Sequence, residues 1–173
     1  MLKNIFIFIC TLFISICTLF ISTSCYAFNE AIDGFRGIYW GDSIETVRES
    51  GVFSYVTQME CPNSDGYAFY DAKLSNPCIG EIQLDGSASL TFKDNQFSSI
   101  MLYYGKNTNP TSTYYMLFKK FKSMWGEPIE NIDTTNTKNS LWAIGNVYIA
   151  VTSEVYPYGR ADSLQIGTIK YVD

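Results

Sequence analysis

Strict alternation of apolar and polar side chains dominates the middle of this 173-residue chain. Between positions 87 and 92, Ala88, Leu90 and Phe92 alternate with serine and threonine, and segment 97–104 follows after an Asp94–Asn95 turn. A period of two places every second side chain of a strand on the same face. Short runs of this kind, separated by tight turns, predict an antiparallel sheet built from hairpins and a meander.

Two helices are predicted between the strands. The first follows a capping box formed by Asp42 and Glu45. The second begins at the N-cap Asn109, carries Pro110 at its first position and ends at Gly126. Its apolar side chains recur three and four residues apart and form a stripe wide enough to cover a sheet face: Tyr114, Leu117, Phe118, Phe121, Met124 and Trp125. We therefore expect the α+β class, with an antiparallel β-sheet and two helices packed on one face.

The remaining segments divide into strands and loops. Further strands are predicted over 52–59, 67–70 and 79–84, and a hairpin joins 141–144 to 147–152 around a Gly145–Asn146 turn. The polar, Thr/Asn-rich segment 131–139 is predicted to be a loop. A second exposed loop is predicted from Tyr156 to Arg160, before a closing strand over 164–172.

The first 27 residues have a different composition from the rest. Lys3 is their only charged residue, an apolar stretch spans 5–21, and Cys25 and Ala27 occupy the −3 and −1 positions of a small-residue cleavage site. This pattern predicts a secretory signal peptide over 1–27 and a single α+β domain over 28–173. Two alternatives remain open, an uncleaved anchor and a bacterial lipoprotein lipidated at Cys25. All three place the domain outside the cytoplasm, periplasmic or secreted, and only the alternatives attach it to the membrane.

Export bears on the two cysteines beyond the leader, Cys61 and Cys78. An even number of cysteines in an oxidising compartment favours a disulfide. Such a bond would close a polar loop and contribute on the order of 3 kcal/mol. Two free thiols are the alternative.

The absence of histidine limits the chemistry of the chain. Without imidazole there is no Ser-His-Asp triad, and two cysteines alone do not make a zinc site. A net charge of −5 argues against nucleic acid as a partner. Nucleotide-binding glycine motifs are also missing. We expect no catalytic residue, metal or cofactor, and a protein that is not an enzyme. A carboxylate-based glycan-acting enzyme is the minor alternative, with candidate pairs Asp42–Glu45 and Glu127–Glu130.

Four side chains are candidates for binding a partner: Trp40, Tyr156, Tyr158 and Arg160. Tyrosine, tryptophan and arginine are enriched at the energetic centres of protein interfaces. Trp40 precedes the first helix, where burial as a structural anchor is the competing interpretation. The other three share a Pro/Gly-containing loop, where the tyrosines could instead fold back on the sheet.

The segment from Phe35 to Gly41 has the pattern F-x-G-I-x-W-G and resembles the opening of a group of small bacterial secreted and periplasmic proteins. The hairpin over 90–97 and the helix that ends in Trp125–Gly126–Glu127–Pro128 are similar to their second half. The layout more distantly resembles the small αβ domains of outer-membrane assembly lipoproteins and of the β-lactamase inhibitor protein. The resemblance implies an α+β binding or scaffold domain and carries over no catalytic residue.

These observations lead to one expected function and one close alternative. We expect a non-enzymatic module that binds another envelope or secreted protein through a sheet face or the loop from Tyr156 to Arg160. The alternative is an inhibitor or immunity-type protein that blocks a secreted hydrolase, because an acidic surface suits a basic target.

Overall fold

The computed structural model describes residues 33–61, 65–106 and 108–171, so the predicted signal peptide at 1–27 lies outside the described residues. Helices α1 and α2 span Ile44–Glu49 and Pro110–Trp125, and a 3₁₀ turn, η1, spans Ile169–Tyr171. The strands are β1 Gly34–Phe35, β2 Ile38–Tyr39, β3 Phe53–Gln58, β4 Tyr67–Leu74, β5 Cys78–Ile79, β6 Ile82–Gln83, β7 Ser87–Lys93, β8 Gln96–Tyr103, β9 Glu130–Asp133, β10 Thr137–Ile144, β11 Val147–Tyr156 and β12 Gly159–Thr168.

One eight-stranded sheet organises the domain. Its strand order is β3-β4-β7-β8-β12-β11-β10-β9, and every neighbouring pair is antiparallel. Two small ribbons, β1–β2 and β5–β6, lie outside it. The predicted α+β class, with an antiparallel sheet and two helices, is confirmed.

The core lies on one face of this sheet. The register places one buried side chain from each of six adjacent strands in a continuous row: Tyr70, Leu90, Ile100, Ile166, Ile149 and Trp142. Because alternate residues point the same way, the whole apolar set of each strand faces the same layer. Both helices cover this layer, since α2 packs against β10 and β11 and α1 packs against β3.

Helix α2 begins and ends as its sequence predicts. The side chain of Asn109 accepts a hydrogen bond from the backbone N–H of Ser112 at 3.0 Å, and Pro110 is the first helical residue. Gly126 closes the helix with φ of 80°, and its carbonyl accepts the indole N–H of Trp142 at 3.0 Å. Phe121 packs edge-on against the same indole, with 5.6 Å between ring centroids.

Helix α1 begins one residue later than predicted. Ser43 is the N-cap, and its hydroxyl accepts the backbone N–H of Thr46 at 3.4 Å. The carboxylate of Asp42 instead accepts the backbone N–H of Tyr39 at 2.9 Å, so it closes the turn before the helix.

Two predicted loops are wrong in extent. Segment 131–139 contains most of β9 and the start of β10, because Ile132 pairs with Asn139 across the ladder. All four β9 side chains are exposed, so this edge strand has no buried face. Its sequence therefore lacks the alternation of apolar and polar residues that predicts a strand. The predicted loop from Tyr156 to Arg160 is a tight hairpin, in which Tyr156 pairs with Gly159 and only two residues form the turn.

The predicted disulfide between Cys61 and Cys78 does not form, and both cysteines are free thiols. Cys61 lies in the connection before β4, whereas Cys78 follows the other end of β4. Eight extended residues span roughly 26 Å. A disulfide requires the two Cα atoms to lie within about 7 Å. The spacing in sequence resembled a closed loop, but its central part is a strand.

We predict that the chain expressed from Phe28 contains two titratable thiols after unfolding without reductant. In the folded protein Cys61 should react faster, because it is exposed while Cys78 is half-buried and its thiol donates to the Oε1 of Gln83 at 3.2 Å. A Cys61→Ser control should retain only the slower thiol. An unfolded chain without reactive thiols would contradict this placement.

Candidate functional site

The hairpin of β11 and β12 projects from one end of the sheet. These strands pair with each other over ten residues each. The ladder from β8 to β12 ends at Ser163, and the ladder from β10 to β11 ends at Glu154. The backbone N–H of Val155 still donates to the carbonyl of Asn136, and the carbonyl of Asp162 still accepts the backbone N–H of Tyr104. Beyond these contacts the hairpin projects by one residue of β11 and three residues of β12, roughly 3–10 Å.

The tip of this hairpin exposes aromatic surface. Tyr158 is 102% exposed and makes no hydrogen bond or ring contact with any residue that the structure describes. Tyr156 is 49% exposed, and its hydroxyl donates to the carboxylate of Glu154. That hydrogen bond raises the pKa of Tyr156, because it stabilises the protonated phenol. Val155 adds a third exposed apolar side chain to the tip.

A polar network stabilises the base of the hairpin. The carboxylate of Asp162 is buried and accepts the Nε–H of Arg160, with both oxygens at 2.8 Å, and the hydroxyl of Ser153 at 2.7 Å. The Nη2 of Arg160 also donates to the hydroxyls of Ser153 at 2.6 Å and Thr111 at 3.4 Å. Thr111 belongs to the first turn of α2, so this network connects the hairpin to the helix.

The chain around Tyr104 packs beneath this network. The phenol of Tyr104 donates to the carbonyl of Thr152 at 2.6 Å, and burial raises its pKa. Gly105 follows with φ of 104°, and a Cβ there would lie 2.9 Å from a carboxylate oxygen of Asp162 and 3.0 Å from Cβ of Pro110. A glycine at this position lets the helix start approach the hairpin base.

The outer face of the sheet is the other surface that a partner could contact. Both described helices lie on the opposite face, and most outer side chains of β7, β8, β10, β11 and β12 are half-buried, although Tyr55 on β3 is 53% exposed. Some of these outer side chains are hydrogen-bonded to each other. Ser89 pairs with the Tyr103 hydroxyl at 3.0 Å, and Gln165 donates to the Tyr148 hydroxyl at 2.9 Å. Tyr158 at the tip is more exposed than any aromatic side chain of the outer face, so it is more readily available to a partner.

Trp40 lies at the other end of the domain. Its ring stacks on Phe97, with centroids 5.1 Å apart, and it lines a cavity beside the β10–β11 turn. The ten residues of β11 separate this turn from Tyr156, a distance of about 33 Å. The structure therefore divides the predicted binding residues into two regions: Tyr156, Tyr158 and Arg160 at the tip, and Trp40 in the cavity.

Arg160 has a different environment from the two tip tyrosines. Its guanidinium points inward to Asp162, Ser153 and Thr111. Its described contacts are therefore internal, and a direct role in binding stays a prediction.

The carboxylates considered for catalysis have local structural roles. Asp42 closes a turn, and Glu127 forms an exposed ion pair with Lys122 at 2.6 Å. A backbone hydrogen bond lowers the pKa of Glu45, and Glu130 is exposed on β9. Within the described ranges, no group of three or more acidic or cysteine side chains could hold a metal ion.

Neither of the two helices that the structure describes is long and apolar enough to cross a membrane. Comparison with family models, with curated proteins and with solved structures found no match to this chain. The candidate site is therefore defined by the geometry of the domain itself.

Sequence reasoning missed the polar network, although the strands carry a signal for it. The core-facing positions of β11 run from Val147 through Ile149 and Val151 to Ser153. On β12 the core-facing position opposite Ser153 is Asp162, which precedes the apolar Leu164 and Ile166. Polar side chains at the next buried positions of two apolar series indicate a buried hydrogen-bonded cluster.

A double-mutant cycle tests this network. Asp162→Ala should lower the free energy of unfolding by about 2 kcal/mol, because it removes charge-assisted hydrogen bonds and leaves Arg160 half-buried without its partner. The coupling energy with Arg160→Ala should be about 1 kcal/mol, measured by urea unfolding. The control Asp71→Ala, at an exposed β4 position, should change stability by less than about 0.5 kcal/mol. Additive effects of Arg160→Ala and Asp162→Ala would contradict coupling within this network.

Proposed function

We propose that this chain is an exported, non-enzymatic protein-binding module whose partner is another envelope or secreted protein. The tip of the β11–β12 hairpin, defined by Val155, Tyr156 and Tyr158, is the proposed contact surface. The observation that carries the proposal is the complete exposure of Tyr158 on a hairpin with a hydrogen-bonded base.

The energetics of association favour such a tip. A tyrosine ring has large apolar area and only two side-chain torsions to restrict, so its burial loses little conformational entropy. The network of Arg160, Asp162 and Ser153 holds the backbone of the hairpin before any partner arrives. Preorganisation of this kind reduces the ordering cost that otherwise offsets the gain from buried surface.

The charge of the chain suggests the kind of partner. The net charge is −5, and Glu154 places a carboxylate beside the tip. Asp162 already neutralises the guanidinium of Arg160 locally. A partner with a basic rim around an apolar pocket would complement this surface and associate faster at low salt.

The projection of the hairpin also suits the inhibitor alternative. An element that extends up to about 10 Å beyond its neighbours can enter a concave site on a hydrolase. In that case the chain should inhibit its target hydrolase and protect the substrate from cleavage, and a panel of basic cell-wall hydrolases is the appropriate assay. No protection at saturating concentration of the chain would eliminate this alternative.

Export through the signal peptide at 1–27 is part of the proposal. The intact mass of the protein recovered from the envelope or medium tests it directly. A mass that matches a chain beginning at Phe28 supports cleavage after Ala27. A diacylglyceryl adduct on Cys25 supports the lipoprotein alternative. An intact Met1 would contradict cleavage.

The contact surface is tested by placing a photo-crosslinking residue at position 158 of the exported chain. Mass spectrometry then identifies the crosslinked protein, which is purified for affinity measurements. Tyr158→Ala should weaken its binding about 30-fold, the equivalent of a 2 kcal/mol hot spot. The matched control is Tyr39→Ala, because Tyr39 is 61% exposed and lies near the other end of the domain.

Two results would contradict the proposal. One is specific binding that Tyr158→Ala and Tyr156→Ala leave unchanged. The other is the absence of any crosslinked protein at position 158 under conditions in which the chain is exported and folded.

A further inference from the structure

The two outermost strands of the eight-stranded sheet differ in how well they resist pairing with another strand. At one edge, β9 has four residues and carries a carboxylate at each end, Glu130 and Asp133. At the other edge, β3 has six residues, Phe53–Gln58, and none of them is charged or a proline. Short strands and charged side chains are common means by which proteins block an exposed edge. β9 has both of these protections, whereas β3 has neither.

The ladder between β3 and β4 shows which backbone groups face the open side. The N–H of Met59 donates to the carbonyl of Phe69 at 2.8 Å, so this pair is hydrogen-bonded. Hydrogen-bonded positions alternate along an antiparallel strand, so Thr57 also directs its N–H and C=O toward β4. The N–H and C=O groups of Val56 and Gln58 point the other way, where the structure describes no further strand. Two donors and two acceptors, about 7 Å apart, therefore face outward along this edge.

Apolar side chains lie next to these backbone groups. Tyr55 is 53% exposed and Met59 is 40% exposed. They lie two positions before and two positions after Thr57, so the three side chains share the outer face of the sheet. A bulge between Phe53 and Tyr55 interrupts the regular pairing at the start of β3. The regular part of the edge is therefore centred on Thr57.

We propose that two copies of this chain pair through β3, antiparallel to each other, about a two-fold axis at Thr57. The N–H and C=O of Val56 would bond to Gln58 of the second copy, and the symmetry repeats this exchange, giving four hydrogen bonds. Thr57 would lie opposite Thr57 of the second copy in a pair without hydrogen bonds. Tyr55 would lie opposite Met59 of the second copy, which forms a favourable sulfur–aromatic contact twice in the dimer.

Charge and size determine the strength of this dimer. No residue of β3 is charged, so the paired strands place no like charges opposite each other, but each copy has a net negative charge. Salt screens the repulsion between the two copies, so added salt should strengthen the dimer. A strand of six residues is about 20 Å long, and its contact is smaller than the roughly 800 Å² per partner of a standard interface. We therefore expect a weak, reversible dimer with a Kd on the order of 100 µM.

Sedimentation equilibrium of the chain expressed from Phe28 measures this association, with Cys61→Ser as the background to prevent unrelated crosslinks. Gln58→Pro removes an N–H that faces the open side and keeps the ladder to β4, because an edge strand accepts proline at such a position. This variant should weaken the dimer at least about tenfold, since the symmetry removes two of the four hydrogen bonds. The matched control is Gln58→Ala, which keeps the backbone N–H and should change the Kd by less than about threefold.

A disulfide at the two-fold axis tests the register, and it does not depend on the folding of the proline variant. The Cα atoms of a pair without hydrogen bonds lie about 4.5 Å apart, within the range of a disulfide. Thr57→Cys should therefore form a covalent dimer under mild oxidation with diamide. The two copies of position 55 lie about 14 Å apart in this arrangement. Tyr55→Cys in the same background should therefore crosslink at least about tenfold more slowly.

Four results would overturn the inference. The first is a chain that stays monomeric at about 1 mM, tenfold above the expected Kd. The second is an equal Kd in Gln58→Pro and Gln58→Ala, and the third is equal crosslinking of Thr57→Cys and Tyr55→Cys. The fourth is loss of the dimer in Tyr158→Ala, which would place the contact at the tip. Failure of the β3 dimer leaves the proposed function standing, because crosslinking at position 158 identifies a different protein on a different surface.

Discussion

The row of apolar side chains across six strands is the interaction on which the rest of the structure depends. Tyr70, Leu90, Ile100, Ile166, Ile149 and Trp142 face the same layer in register. Each fully buried side chain of this size stabilises the fold by roughly 1.5–3 kcal/mol through burial of apolar area. A slip of one residue in any strand would turn its members to the outer face, so the row also fixes the register.

Helix α2 gains its position from this row. Phe121 contacts Trp142, and the hydroxyl of Tyr114 pairs with Ser140 at 2.7 Å, so one apolar stripe covers the β10 and β11 end of the layer. The first turn of the helix then lies beside the hairpin base, where Thr111 reaches Arg160. The projecting tip is thus held by the same packing that forms the core.

Local sequence patterns predicted the elements whose stabilising contacts are local. The β7–β8 hairpin, the caps of α2 at Asn109 and Gly126 and the β10–β11 turn all depend on residues close in sequence. Pairing of β8 with β12 joins positions about sixty residues apart, and no local pattern specifies which strand is the neighbour. The cysteine pair was misjudged because the strand predicted over 67–70 is only half of β4, which continues to Leu74 and separates the two thiols.

The candidate site was only partly predictable. Residue type and a Pro/Gly-containing loop pointed to Tyr156, Tyr158 and Arg160 as binding residues. The internal role of Arg160 follows instead from its contact with Asp162, which lies two residues further along β12. The cavity around Trp40 brings together Asp33, Asn146 and Thr168 from three separate segments. Such a constellation exists only once the ribbon, the turn and the last strand have packed.

The central claim is that the tip is ordered before a partner binds, and backbone ¹⁵N relaxation tests it most directly. Amide order parameters at Tyr156, Tyr158 and Gly159 should be about 0.85, equal to those of Ile149 and Val151 in the centre of β11. The order parameters should fall in Arg160→Ala, because the polar network at the base of the hairpin is lost. Order parameters below about 0.6 at the tip of the unmodified protein would contradict the account.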